Sequence, residues 1–298
     1  MSRETPLTPD YGVTVEGQPG ETLLDLDLAR VADLYRRHGA IWFHGFAPSV
    51  DNFKKFTASL STSFIEYVGG AMSRTPIGGD QTVVAVTGAT DNFGVPLHAE
   101  LYYRAKHPRL LWFYCDRVAA TGGETTVCDG FVAFEKFSEH TKNLLRARKI
   151  VYIRRYPEAE WQSIYQTTNI DDVKKHCLEN ELQLDVNADR SITTRYTTSA
   201  IVPDREGKRF GFLNNILPII SQELEGKRTN QLRMDDGYGI PHDVLLEIRY
   251  LTEKLTHPVA WKNGDLLMVD NTRMLHGRRA FTGNERAVYS RLGDPNFA

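Results

Sequence analysis

Strand-length runs of β-branched and aromatic residues crowd both ends of this chain, and a helical stretch separates them. Residues 95–103, 110–118 and 125–128 read as strands, punctuated by the turn Thr121-Gly122-Gly123-Glu124. Short strands return at 191–202 and 209–213, and two more, 265–270 and 286–292, close the chain. Between these groups, 132–146 and 158–182 carry helical periodicity around a strand at 149–156. A helix over 242–255 gathers Val244, Leu245, Ile248, Leu251 and Leu255 on one side. Near the start, Thr22 to Asp25 opens an amphipathic helix whose apolar side includes Leu24, Leu28, Val31 and Tyr35 and which ends near Gly39. A buried strand over 40–43 follows, then a helix from Ser49 or Asp51 with Phe53 and Phe56 inward. Strands bracketing a helical insertion predict a mainly β fold with helical additions, a jelly roll or double-stranded β-helix. We expect one domain over 1–298, with core strands at 85–130 and 190–292, an insertion at 131–185 and N-terminal helices within 21–60. The length would allow two domains, but no repeat, low-complexity segment or linker marks a boundary.

Charge balance narrows the partners. Lys plus Arg is 36 and Asp plus Glu is 38, a formal net charge of −2. That is not the basic footprint of a nucleic-acid binder, and no Lys/Arg block compensates. Apolar runs such as Leu110-Leu111-Trp112-Phe113-Tyr114 fall far short of the roughly 18 residues that span a bilayer, so no membrane partner is expected. Cys115, Cys128 and Cys177 show no C-x-x-C spacing and read as reduced thiols. With a polar N-terminus and no secretory pattern, the expected location is cytoplasmic, and a homo-oligomer stays open.

The residues able to carry chemistry lie at both ends. In His98-Ala99-Glu100, positions i and i+2 of a strand share a face, so imidazole and carboxylate can reach one first-row metal ion. Taken alone, one His-x-acid is about what chance gives in this composition, and a half-exposed His and Glu is the plainer reading. The run Asp270-Asn271-Thr272-Arg273-Met274-Leu275-His276-Gly277 follows an apolar strand with a corner and delivers a second histidine. His98, Glu100 and His276 together would form a 2-His-1-carboxylate triad with open positions for a cosubstrate and dioxygen on Fe(II). A chelating keto acid leaves a distal carboxylate, best met by an arginine fork and a hydroxyl. Arg286 and Arg291 on the last strand and Thr125 after the Gly-Gly-Glu turn are candidates; surface ion pairs and an ordinary strand threonine are the alternatives.

Here the sequence resembles the taurine dioxygenase (TauD/TfdA)/clavaminate synthase-like group of Fe(II)- and 2-oxoglutarate-dependent oxygenases. The resemblance is carried by Glu66-Tyr67-Val68-Gly69-Gly70, Val95-Pro96-Leu97-His98-Ala99-Glu100, Pro108 through Cys115 and Gly122-Gly123-Glu124-Thr125. It continues through Asp270-Asn271, His276-Gly277-Arg278, Phe281 and Arg286. Thr125 lies 27 residues after His98 and Arg286 ten after His276, both typical of the group. The resemblance implies that His98, Glu100 and His276 bind iron and that Thr125 and Arg286 grip 2-oxoglutarate, with Arg291 as second choice. The group's usual second arginine, four residues on, is replaced by Ser290. In taurine enzymes that arginine helps hold an anion, so a sulfonate substrate is not implied here. Glutamate in place of the commoner aspartate ligand leans toward the clavaminate synthase branch, whose members often modify amino acids or natural-product intermediates. A carboxylate at position 100 argues against halogenation.

The implied reaction consumes O2 and 2-oxoglutarate, releases succinate and CO2, and oxidises a C–H bond of a small molecule, most simply by hydroxylation. Substrate contacts are expected from the loop at 66–95, with Arg74 and Asn92, and from Tyr102 and Asn214. Two other classes compete. A cupin-like metal isomerase or hydrolase would need neither Thr125 nor Arg286 nor oxygen. A metal-free jelly-roll binding protein would keep its ligand when His98 is removed.

Overall fold

The computed structural model describes residues 2–70, 74–86, 92–204, 206–226, 230–283 and 285–297. Parts of the expected 66–95 loop, residues 71–73 and 87–91, lie outside them. The strands Leu110–Arg117 and Leu266–Asp270 pair antiparallel at the centre of the larger sheet. Their unbroken apolar sequence has a simple cause: both faces are buried. Leu111, Phe113, Cys115, Leu267 and Val269 point into one core, while Leu110, Trp112, Tyr114, Leu266 and Met268 point into another. The second core is closed by the helices Leu28–His38 and Val50–Leu60, through Val31, Leu34, Phe53 and Phe56. The first is closed by a smaller sheet, in the order His257–Val259, Thr125–Asp129, Met274–Arg278, Val95–His98. Two facing sheets with helices packed outside are the expected jelly roll.

Several details differ from the sequence expectation. The first helix starts at Leu28, capped by Asp27, whose carboxylate accepts from the Ala29 N–H at 2.9 Å. Leu24 therefore sits on a separate short turn, Leu23–Asp25, and Leu24 and Leu28 are 49% and 37% exposed rather than inward. Two short strands not anticipated, Arg3–Pro6 and Val13–Glu16, extend the larger sheet beyond Ala40–His44. The insertion is not purely helical. Gln183–Val186, Ile192–Ser199, Lys149–Tyr156 and Asn230–Met234 build a sheet of their own, so 192–199 is no jelly-roll strand. The two helical stretches each break in two: Gly130–Lys136 with Glu139–Ala147, and Glu158–Tyr165 with Ile170–Glu179. Ser138 and Asn169 supply new N-caps at those breaks. All three cysteines are buried free thiols, and no described helix is long and apolar enough to cross a membrane.

Candidate metal centre

His98 and His276 are cross-strand partners on the neighbouring strands Val95–His98 and Met274–Arg278, so their side chains leave the same face. Their ring centroids are 4.2 Å apart. The strand expected to run through Glu100 ends at His98; Glu100 lies in a turn completed by Leu101 at φ 63°. What brings Glu100 back to the histidines is Asn271. Its Oδ1 accepts from the Glu100 N–H at 2.8 Å, and its Nδ2 donates to the carbonyls of Glu100 at 3.0 Å and Pro108 at 2.7 Å. Glu100 Oε2 then lies 3.5 Å from His276 Nε2 and 3.9 Å from His98 Nε2. One ligand atom from each of the three residues falls within 4.8 Å of the others.

The donor set fits one first-row divalent ion. Metal–ligand bonds of about 2.1 Å place cis ligands roughly 3 Å apart, so the 3.5 and 3.9 Å gaps to Glu100 would each close by less than about 1 Å around an ion. His98 Nδ1 donates to the Pro96 carbonyl at 2.9 Å, which leaves its Nε2 lone pair aimed at Glu100. Burial, reinforced by the neighbouring His276, pushes the His98 pKa down to about 4, so the ring is neutral at pH 7. For Glu100, burial opposes ionisation, but His276, Arg74 and His98 outweigh it and bring the carboxyl to about 2. Phe113 lies 5.2 Å from the His276 ring and walls one side.

Thr125 faces Arg278 across the ladder and Val127 faces His276, so Thr125 and His276 share a sheet face. The Thr125 hydroxyl accepts from Trp261 Nε1 at 3.1 Å. Trp261 and Arg286, with the 122–124 turn, line a cavity of about 220 Å³. Arg286 Nε donates to the Gly123 carbonyl at 3.0 Å. Residue 123 must be glycine there: its φ is +77°, and a Cβ would stand 3.0 Å from Arg286 Nε. Burial and the like charge of Arg278 lower the Arg286 pKa to about 10, leaving a cation at neutral pH. A larger groove of about 840 Å³ lies among Leu217, Leu245 and Tyr250 and includes none of the three metal candidates.

The other candidates fall elsewhere. Arg291 is held among structural groups: Nε donates to Thr82 Oγ1 at 3.1 Å, and Nη1 donates to the Lys54 carbonyl at 2.9 Å and Thr57 Oγ1 at 2.8 Å. Its guanidinium also covers Phe64 at 3.5 Å. Tyr102 donates to the Asn271 carbonyl at 3.0 Å, and Asn214 spends its amide on the Ala200 carbonyl and the Ile216 N–H. Both side chains are engaged by backbone groups of the fold. Asn92 is exposed, and its carbonyl accepts from the Phe281 N–H. Arg74 lies over the Tyr67 ring at 4.5 Å, and Tyr67 Oη is 3.5 Å from Glu100 Oε1. Asn271, Trp261 and Tyr67 were not singled out from sequence as site residues. Only the Asp270-Asn271 corner and the Glu66–Gly70 block hinted at two of them.

Residues 3–292 match the taurine catabolism dioxygenase TauD, TfdA family. The chain belongs to the TauD/TfdA family. As a TauD/TfdA dioxygenase it is 26% identical over 274 residues to a clavaminate synthase-like protein of Arabidopsis thaliana, covering 86% of this chain and 82% of that one. It is 25% identical over 282 residues to the dapdiamide synthesis protein DdaC of Enterobacter agglomerans, covering 89% and 85%. Its fold is similar to that of PvcB from Pseudomonas aeruginosa, with a TM-score of 0.64 at 18% identity and coverage of 98% and 91%. PvcB is described as an Fe, α-ketoglutarate-dependent oxygenase from an isonitrile synthetic pathway.

Proposed function

We propose that this TauD/TfdA dioxygenase uses Fe(II), 2-oxoglutarate and O2 to hydroxylate a C–H bond of a small molecule, an amino acid or natural-product intermediate. The observation that carries this is the convergence of His98, Glu100 and His276 from opposite ends of the chain within 4.8 Å. In this reading the three residues hold the iron, and residues 3–292 act as one catalytic unit because neither end holds a complete ligand set. Bound iron and keto acid supply the oxidative chemistry, with release of succinate and CO2. The chain's own work is placement. Thr125 and Arg286 take the distal carboxylate of 2-oxoglutarate, and the engagement of Arg291 by Thr57, Thr82 and the Lys54 carbonyl favours Arg286 over it. Pro96 and Asn271 orient two of the three ligands, and Phe113 keeps water from one side of His276.

The test is anaerobic addition of Fe(II) and 2-oxoglutarate, then air. A visible charge-transfer band and succinate release, both abolished by His276→Ala, are expected. No band and no succinate from a correctly folded protein would overturn the reading in favour of a cupin-like isomerase or a binding protein.

A further inference from the structure

Two further cations, the part-buried Arg74 and the buried Arg154, lie beside the metal centre and are assigned above to neither iron nor 2-oxoglutarate. Arg154, 7% exposed, is stacked 4.1 Å over Tyr103 and 5.1 Å over Tyr156. Its Nη2 donates to the Gly70 carbonyl at 3.1 Å and its Nε to Asn230 Oδ1 at 3.3 Å. Gly70 backs directly onto Tyr67, since a Cβ there would stand 2.0 Å from Tyr67 Cε1. Arg74 covers the same Tyr67 ring, whose hydroxyl reaches Glu100. Arg74 and Arg154 thus gather around one tyrosine that abuts the iron ligands; Glu100 is the carboxylate whose charge faces Arg74, and in the reading above it is taken by iron, while among the described residues no ion pair joins Arg154 to a carboxylate. Two guanidinium groups against one carboxylate leave an excess of positive charge, and a buried cation such as Arg154 is costly to keep unless it is used.

The neighbouring polar atoms have the same character. Arg74 Nε, Tyr103 Oη and Tyr156 Oη are buried and make no hydrogen bond to any described group. Burial keeps both phenols protonated at neutral pH, so each of the three offers a donor. A group of unmatched donors with excess positive charge calls for an anionic acceptor. On the opposite wall, Ser290 is the cross-strand partner of Phe113, whose ring meets His276. Serine stands there in place of the arginine that the resemblance to taurine enzymes leads one to expect, so that wall supplies no cation at this position.

Resting on the reading above, we propose that the substrate carries a carboxylate received by Arg74 and the Tyr103 hydroxyl, with Arg154 behind them as a positioning residue. In this proposal the anion-binding role has moved from the last strand to Arg74, Tyr103 and the inserted sheet.

The test uses the anaerobic Fe(II)·2-oxoglutarate enzyme titrated with propionate, benzoate and 3-phenylpropionate and with their primary amides. Binding is followed by perturbation of the charge-transfer band and by the thermal midpoint. At least one acid is expected to bind about tenfold or more tightly than its amide, the scale of a charge-assisted hydrogen bond. Arg74→Gln should remove that preference and Arg74→Lys should restore part of it. Arg286→Gln should weaken 2-oxoglutarate while leaving the acid-over-amide preference intact. Equal binding of every acid and amide, or a preference that survives Arg74→Gln, overturns the proposal. If no band forms at all, the iron reading fails, and the thermal midpoints still decide the acid-over-amide question. Arg154→Lys serves as a second variant should Arg74→Gln prove unfolded.

Discussion

Asn271→Ala tests whether the metal centre is assembled by a backbone clamp and not by strand geometry. Asn271 is fully buried, and its amide makes three hydrogen bonds, two to Glu100 and one to Pro108. Each such bond contributes about 1 kcal/mol net, and each buried group left without a partner costs about 1–3 kcal/mol. Some of these groups can relax toward one another, so a stability loss of about 3–5 kcal/mol follows for the alanine variant. Urea unfolding of the metal-free protein measures this, read as a fall in midpoint at constant m-value. The same variant frees Glu100 to swing from His98 and His276, which should weaken Fe(II) binding about 10–100-fold. Asn271→Asp should be no better: it retains an acceptor for the Glu100 N–H but sets carboxylate oxygen against two carbonyls. A loss under about 1 kcal/mol for alanine, or stability loss with Fe(II) affinity within about threefold of wild type, would refute the clamp.

Three further outcomes follow from the same geometry. Trp261→Phe removes the indole N–H that fixes the Thr125 hydroxyl, so KM for 2-oxoglutarate should rise several-fold with little change in kcat; an unchanged KM would detach Thr125 from the cosubstrate. Arg291→Met should cost about 2–4 kcal/mol of stability through its lost contacts to Thr57, Thr82 and Phe64, yet leave that KM alone in steady-state assays. A KM rise matching that of an Arg286 variant would transfer the cosubstrate role to Arg291. Burial, then the neighbouring Arg104, push the His176 pKa down to about 4. With a lowered native pKa, the unfolded chain takes up the proton first, so stability holds above about pH 6.5 and declines as pH falls toward 4. His176→Gln should flatten that decline in denaturation midpoints, and an identical pH slope would exclude His176 as its source.

The jelly roll was legible where burial on both faces writes itself into sequence, as in Leu110–Arg117 and Leu266–Asp270. It was less legible where elements are short or depend on distant partners. Val13–Glu16 carries only four residues of alternation and is a strand because Ala40–His44 offers an edge beside it. Ile192–Ser199 reads as one more β run, and nothing local reveals that it pairs with Lys149–Tyr156 in a separate sheet. Leu24, Leu28, Val31 and Tyr35 recur at helical spacing and predict a first helix that already includes Leu24. The Asp27 cap restarts the helix, and that changes which leucines face inward. The iron candidates stand out because imidazole and carboxylate are chemically distinctive, but the strand ends at His98, so Glu100 does not share a strand face with it as the i, i+2 spacing predicts. They meet through a turn and an asparagine 171 positions downstream of Glu100.

That division has a physical basis that also bears on how such a fold changes substrate. Every group assigned to iron or 2-oxoglutarate comes from the two facing sheets or the turns between their strands. The register His276–His98 and Thr125–Arg278 fixes much of their spacing. The groups proposed for the substrate carboxylate come from other places: Arg74 follows the 66–70 turn, Tyr103 follows Glu100 in its turn, and the supporting Arg154 belongs to the inserted sheet. Residues so far apart in sequence leave no shared spacing to read, so their convergence is visible only once the chain is folded. The same separation lets them vary without disturbing the metal centre, since among the described residues Arg154 reaches that centre indirectly, through Gly70, Tyr67 and Tyr103. Substitutions along Lys149–Tyr156 should therefore alter which acids bind while KM for 2-oxoglutarate stays near its original value. A substitution there that raised that KM as much as loss of Arg286 would show that the inserted sheet and the core are one energetic unit.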